Sequence, residues 1–122
     1  MPQDELINIL KRDDILIVSF QTPSIGALSG IEKIADELFS LIRIQQPKKI
    51  IIDFDRVLFL SSRMLGLLVD IWKRLKNCGG MLLVSGINPQ LKRVFRITNL
   101  DKIFDFYDDA DSAIKAFGAG KK

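Results

Sequence analysis

The sequence predicts an α/β fold: a mixed β-sheet of about five strands with four helices. Two patterns support this prediction. Short, continuously apolar runs, ILIVSF at 15–20 and MLLVS at 81–85, are typical of strands covered on both faces. Segments with apolar residues at helical spacing alternate with these runs along the chain. Strands that alternate with helices indicate mostly parallel pairing with right-handed crossovers.

The first half of the chain predicts two strands and one helix. Two strands are predicted, over Ile7 to Lys11 and over Ile15 to Phe20, with a charged turn between them. Residues 21–30 hold one Pro, two Gly and two Ser, so they predict a loop. Ile31 to Gln45 carries apolar residues at helical spacing and is followed by Pro47, so it predicts the first helix.

The second half predicts three strands and three helices. A β-branched triplet, Ile50-Ile51-Ile52, indicates a buried parallel strand. The other predicted elements are an extended stretch from Val57 to Leu60, a helix from Ser62 to about Lys76, a strand over Met81–Ser85, a helix capped by Asn88 with Pro89 first, a strand over Ile103–Tyr107 and a helix opened by Asp109 or Asp111.

Length and composition predict one globular domain over residues 1–122, with loose ends at 1–5 and 118–122. The chain has 48% hydrophobic and 27% charged residues, which is ordinary for a folded domain. The longest uncharged stretch, 15–31, contains proline and two glycines before its last residue, so no membrane insertion is expected. One cysteine and no export signal favour a cytoplasmic location.

Several classes of activity are disfavoured by what the sequence lacks. It has no histidine, which removes the usual general base and the commonest metal ligand. Its single cysteine excludes a multi-cysteine zinc site. The net charge of +3 is low for a nucleic-acid binder. We therefore expect a protein that is not an enzyme, uses no cofactor or metal, and binds no nucleic acid.

A pair of serines stands where an extended segment gives way to a helix. A serine at a helix N-terminus is usually a cap. The same position also favours an anion, because the first N–H groups are free and the helix dipole is positive there. Ser62 could therefore carry a phosphate added by another protein, with Arg63 beside it.

Two further features admit two interpretations each. Asp53 and Asp55 follow a buried strand, where paired carboxylates could bind Mg²⁺ or accept phosphate. A simpler interpretation explains them better: Asp53 caps the loop, and Asp55 is a solvated turn residue. Between Arg63 and Lys102 there are eight basic and two acidic residues, densest at Lys92 and Arg93 with Arg96. That surplus fits either an acidic partner or ordinary solvated helix faces.

The chain from residue 50 onward resembles the STAS domain, the family of bacterial anti-sigma-factor antagonists. The resemblance rests on IIIDFDRVLFLSSRMLG and on GGMLLVSGINPQLKRVFRITNLDKIFDFYDDADSAIKAF. The first stretch is similar to the family's strand, Asp and serine motif. The second is similar to its Gly-Gly turn, strand, basic helix and acidic run before the last helix. About 70 residues are covered.

The resemblance implies a regulatory module that binds an anti-sigma factor or a serine protein kinase and is switched by phosphorylation of Ser62. It implies partner contacts by Ser61, Ser62, Arg63, Met64 and Asp55. The family motif Asp-Ser-(Ser/Thr)-Gly is only partly kept, since Ser61, Arg63 and Met64 replace its Asp, second hydroxyl and glycine. An alternative is therefore a STAS-fold scaffold or accessory subunit, stressosome-like or transporter-associated, without a phospho-switch. Formation of a homo-dimer is left open.

Overall fold

The strands and helices alternate along the chain in a computed structural model that describes residues 7–12, 14–20, 24–25, 30–45 and 48–119. The strands are β1 (Ile7–Arg12), β2 (Ile15–Phe20), β3 (Ser24–Ile25), β4 (Lys49–Asp53), β5 (Phe59–Leu60), β6 (Met81–Ser85) and β7 (Asp105–Tyr107). The helices are α1 (Gly30–Gln45), α2 (Ser62–Asn77), α3 (Pro89–Ile97) and α4 (Ala110–Ala119), with a 3-10 turn over Leu100–Lys102.

Five strands form one mixed sheet in the order β1-β2-β4-β6-β7. β1 pairs antiparallel with β2, and the other three pairings are parallel. β3 and β5 form a separate two-stranded parallel pair. The predicted mixed α/β architecture is confirmed.

Alternate side chains of the central strands point to opposite faces of the sheet, as the period of two requires. Leu16 lies opposite Ile50, and Ile50 lies opposite Leu82, so the three strands stay in register. The first face carries Leu16, Val18, Ile50, Ile52, Leu82 and Val84. The second face carries Ile15, Ile17, Ile51 and Leu83.

Helices cover the two faces unequally. Buried residues of α1 and α2, together with Leu91 and Phe95 of α3, pack into the cluster on the first face. Ala113 and Phe117 of α4 pack into the smaller cluster on the second face. A strand buried on both faces needs a layer on each side, which is why the middle strands are continuously apolar.

The sheet centre is as buried as the sequence predicts. Ile51 and Val84 both have 0% exposure. Trp72, predicted to be core or half-buried, is half-buried, and its ring lies edge-on to Phe104 at 6.5 Å.

The structure differs from the prediction at three places. The predicted loop over 21–30 contains strand β3, which pairs with a distant segment and has no local signal. The last strand begins at Asp105 and not at Ile103, because the N–H groups of Ile103 and Phe104 donate back to the Leu100 carbonyl oxygen in the turn after the 3-10 segment. Helix α4 continues to Ala119, so the predicted loose end does not begin at 118, whereas 1–5 and 120–122 lie outside the described residues.

Among the described helices, none has the length and apolar character needed to cross a bilayer.

The double coverage of β4 predicts a large cost for truncation at its centre. Ile51→Ala should lower the free energy of unfolding by about 2–5 kcal/mol, because it opens a cavity between two packed layers. Ile44→Ala is the matched control, since Ile44 is 75% exposed on α1, and it should cost less than about 0.5 kcal/mol. Urea denaturation measures both, and equal costs would contradict the layered core.

Candidate functional site

The segment between β4 and α2 is fixed to the core at two points. Phe54 is fully buried, and its ring stacks on that of Phe20 with centroids 5.2 Å apart. Val57 is also buried, and its carbonyl oxygen accepts a hydrogen bond from the Asn88 side-chain amide at 3.3 Å. The residues between and after these anchors are exposed: Asp55, Arg56, Leu58 and Phe59.

Helix α2 begins immediately after this segment, and Ser61 is its N-cap. The Ser61 backbone is extended, with φ −79° and ψ 163°, and its Oγ accepts a hydrogen bond from the Met64 N–H at 3.1 Å. This bond satisfies one of the free donors of the first turn. The hydroxyl of Ser61 therefore has a structural role in starting the helix.

Ser62 is the first residue of α2 and is exposed, as the sequence predicted. Arg63 is exposed next to it. The first turn of α2 contains no acidic residue, so the positive end of the helix dipole is not offset there by a carboxylate. A negative charge at Ser62 would be favoured by this local field.

Met64 corrects one prediction, because its side chain has 0% exposure and packs in the main core cluster. It cannot contact a partner in this structure. The helical period explains the difference, since Met64 shares a face with Leu68 and Ile71, both of which are also buried. Ser61 is only half-exposed, while Asp55 and Ser62 are exposed.

Two exposed apolar residues precede the serines and were not picked out from the sequence. Leu58 is 51% exposed and Phe59 is 60% exposed. Large apolar side chains grouped on a surface mark interaction sites more often than isolated ones do. A signal was present in the run Val57-Leu58-Phe59-Leu60, which is longer and more apolar than a two-residue strand requires.

Asp53 lies at the carboxyl end of β4 and is tied to the neighbouring strand. Its Oδ1 accepts a hydrogen bond at 2.9 Å from the hydroxyl of Ser85, which is fully buried at the end of β6. Burial raises the pKa of the Asp53 carboxyl, the Ser85 hydrogen bond opposes this rise, and the nearby Asp55 carboxylate adds to it. Gly86 has φ 73°, and a Cβ there would approach Asp53 Oδ1 to 2.7 Å.

The hydrogen bond between Asp53 and Ser85 thus holds the ends of β4 and β6 together, next to the turn at Gly86. A groove of about 200 Å³ beside it is lined by Asn8, Ser19, Phe20, Asp53, Asp55 and Arg56. Within the described ranges, no group of three or more Asp, Glu or Cys residues is arranged to hold a metal ion. The hydrogen bond from Ser85 gives the Asp53 carboxylate a structural role at the ends of β4 and β6.

Comparison with known proteins gives one family match. The model of the STAS domain matches residues 7–113. A Thermotoga neapolitana protein described as an anti-sigma factor antagonist homologue is 34% identical over 67 residues. These residues are 55% of this chain and 59% of that protein, so the match spans less than two thirds of the relative.

Solved structures share the fold over nearly the whole chain. A STAS domain protein from Planctomyces limnophilus, titled an anti-sigma-factor antagonist, superposes with a TM-score of 0.81 at 26% identity, covering 90% of this chain and 95% of its own. SpoIIAA superposes in its unphosphorylated form with a TM-score of 0.77 at 16% identity, covering 92% and 96%. Its phosphorylated form from Bacillus gives 0.69 at 18%, covering 91% and 98%.

The cap geometry predicts that the two serines differ in their effect on stability. Ser61→Ala should cost about 1 kcal/mol, because the Met64 N–H loses its acceptor. Ser62→Ala should change stability by less than about 0.5 kcal/mol, because this side chain is exposed. Chemical denaturation of both variants tests the assignment, and it fails if Ser62→Ala is the more destabilising.

The raised pKa of Asp53 predicts that the free energy of unfolding falls as the pH rises and this carboxyl ionises. The folded state holds the proton on Asp53 more tightly than the unfolded chain does, so ionisation of this carboxyl opposes folding. The stability that the protonated form contributes is present below the unfolded pKa and is lost as pH rises through the raised folded pKa. Asp53→Asn should therefore be more stable than the parent at neutral pH, and the gain should vanish on acidification. A constant difference at all pH values would contradict this.

Proposed function

Because this chain belongs to the STAS domain family, we propose that it is a non-enzymatic regulatory module that binds an anti-sigma factor or a serine protein kinase, and that phosphorylation of Ser62 switches this binding. The docking surface consists of Asp55, Leu58, Phe59, Ser62 and Arg63. One observation carries the proposal: Ser62 is exposed at the start of α2, three residues after the exposed Phe59.

The apolar part of the docking surface supplies the affinity. Leu58 and Phe59 are each about half exposed, and covering the remaining apolar area of each would contribute roughly 1–2 kcal/mol. Their neighbours Phe54 and Val57 are buried, so the segment is held in position before a partner arrives. A surface that is already ordered loses less conformational entropy on binding.

A phosphate on Ser62 would act on binding and leave the fold intact. It adds about two negative charges at neutral pH. Within the domain, the first-turn N–H groups of α2 favour these charges. At the docking surface the same charges would have to lose water beside apolar groups or approach carboxylates of the partner, which opposes docking.

Named relatives support the binding half of the proposal. The matched Thermotoga and Planctomyces proteins carry the description of anti-sigma factor antagonists. SpoIIAA shares the fold and exists in unphosphorylated and phosphorylated forms. At its level of identity the likeness concerns the fold alone, so the switch in this chain rests on the position of Ser62.

A second candidate function is a STAS-fold scaffold or accessory subunit without a phospho-switch. The residues after Ser62 favour it, because Arg63 replaces a hydroxyl residue and Met64 replaces a glycine of the family motif. Met64 is buried in the core, so the packing at the start of α2 includes a large side chain where the family motif has a glycine. Phosphorylation at Ser62 distinguishes the two candidates.

The proposal predicts opposite behaviour for two substitutions at Ser62. The partner is the serine kinase encoded nearest to this protein, and its affinity is measured by calorimetry. Ser62→Asp should weaken binding at an unchanged melting temperature. Full phosphorylation of Ser62 should lower the affinity on the order of 100-fold. Ser62→Ala should bind as the parent does and resist release by the kinase and ATP.

Two controls separate the switch from the surface. Phe59→Ser should weaken binding without affecting phosphorylation of Ser62. Ile44→Ser, which removes an apolar side chain that is 75% exposed on α1, should leave both unchanged. Mass spectrometry after incubation with the kinase locates the phosphate. Equal affinities of the parent and Ser62→Asp, together with no phosphate at Ser62, would favour the scaffold function.

A further inference from the structure

The exposed face of helix α3 carries three cations and one large apolar residue. Lys92, Arg93 and Arg96 are all exposed, and Ile97 is 72% exposed. Because successive residues turn by about 100° around the helix axis, these four lie within an arc of about 140°. The opposite side of α3 is buried in the main core cluster. We call the four exposed residues the basic face.

Nearby carboxylates do not neutralise the positive charge of this face. Residues 71–100 contain six basic residues and no aspartate or glutamate. Among the described residues, none of the three α3 cations takes part in an ion pair. The net charge of the whole chain is +3, so these cations equal its entire surplus. A surface of this kind attracts anionic groups that come within a Debye length, roughly 10 Å at 0.1 M salt.

The apolar residue among the cations narrows the kind of partner that fits. An isoleucine that is 72% exposed gains free energy when another molecule covers it. Carboxylates on either side of an apolar side chain would meet both features of the basic face at once. DNA phosphates offer charge without an apolar group. Helices that lie on a membrane bury a whole apolar face there, whereas the apolar face of α3 packs in its own core. The basic face therefore fits an acidic protein segment best.

Helix α3 begins against the segment that carries the docking surface. The side-chain amide of Asn88, its N-cap, donates to the Val57 carbonyl oxygen at 3.3 Å. Leu58 and Phe59 follow Val57 directly in the chain. Because the helix rises about 1.5 Å per residue, Ile97 lies about 13 Å along the axis from Asn88. A partner segment of about five extended residues spans that length.

We propose that the basic face binds an acidic segment of the same partner that contacts Leu58 and Phe59. Carboxylates of that segment lie beside the three cations, and one of its apolar side chains covers Ile97. Since this is a second contact for that partner, it rests on the proposed function. It adds the chemistry of the partner, which carries acidic residues around an apolar one next to its binding site. Ser62 lies outside the basic face, so the switch and the acidic contact are separable.

The charged and apolar parts of this contact should act on different rate constants. Exposed charges mainly speed the encounter, whereas buried apolar groups mainly slow dissociation. Lys92→Gln with Arg93→Gln and Arg96→Gln should lower the association rate constant on the order of tenfold at low salt, and the difference should shrink at high salt. Ile97→Ser should chiefly raise the dissociation rate constant, by a few-fold. Surface plasmon resonance with the serine kinase encoded nearest to this protein measures both rates.

A charge-matched variant separates a local contact from an effect of net charge. Lys11→Gln with Lys33→Gln and Arg43→Gln removes the same charge from exposed positions outside α3, and its association rate should stay within about twofold of the parent. Ser62→Asp separates this contact from the switch. If Ser62→Asp weakens binding while the triple α3 variant behaves like the control, the acidic contact is wrong and the switch stands. A parent that does not bind the kinase is instead a failure of the proposed function.

Short peptides test the basic face without the kinase. Backbone amide resonances of the nitrogen-15-labelled protein are followed during titration with Glu-Glu-Leu-Glu-Glu and with Glu-Glu-Gly-Glu-Glu, which has the same charge. The leucine peptide should shift the resonances of residues 92–97 and bind more tightly than the glycine peptide, because its apolar side chain covers Ile97. Ile97→Ser should abolish that difference. A short DNA duplex and phosphatidylglycerol vesicles are titrated in parallel.

Three outcomes would overturn the inference. The first is an equal loss of association rate in the triple α3 variant and the charge-matched control, which would leave only net charge at work. The second is equal affinity of the parent for the two peptides, which would reduce the surface to unspecific attraction. The third is a stronger response of residues 92–97 to DNA or to the vesicles than to the leucine peptide, which would make a nucleic acid or a membrane the partner.

Discussion

The burial of β4 on both faces is the constraint on which the rest of the structure depends. Its isoleucines, Ile50 and Ile52 on one side and Ile51 on the other, have at most 2% exposure. A strand of this kind cannot leave either face in water, so helices must cover both sides of the sheet. The parallel register then aligns the carboxyl ends of the strands, which brings Asp53 beside Ser85 and places the start of α2 just beyond them.

The segment that follows β4 combines core and surface in a few residues. Phe54, Val57 and Met64 point into the core and hold the backbone in position. Leu58, Phe59 and Ser62 point outward from this fixed backbone. Since the outward residues add little to the stability of the monomer, they can be chosen for binding, whereas the inward ones are restricted by packing.

Unequal coverage of the two faces leaves the molecule with two chemically different sides. The first face is filled by three helices, and α3 presents its cations on the outside of that layer. Among the described helices, only α4 covers the second face, and a groove lined by Met81, Asp105 and Phe117 lies beside it.

The sequence by itself determined the elements whose signals are local. The bounds of β2 and β6, the Asn88 cap with Pro89, and the serine pair at the start of α2 all follow from periodicity and from hydrogen-bonding groups within a few residues of each other. Tertiary structure alone decided which large apolar residues are buried and which are exposed. Met64 is buried and Phe59 is exposed, although both are large and apolar, because burial depends on what packs from distant parts of the chain. The pairing of β3 with β5 and the groove beside α4 have the same origin, since each is formed by segments that are neighbours only after folding.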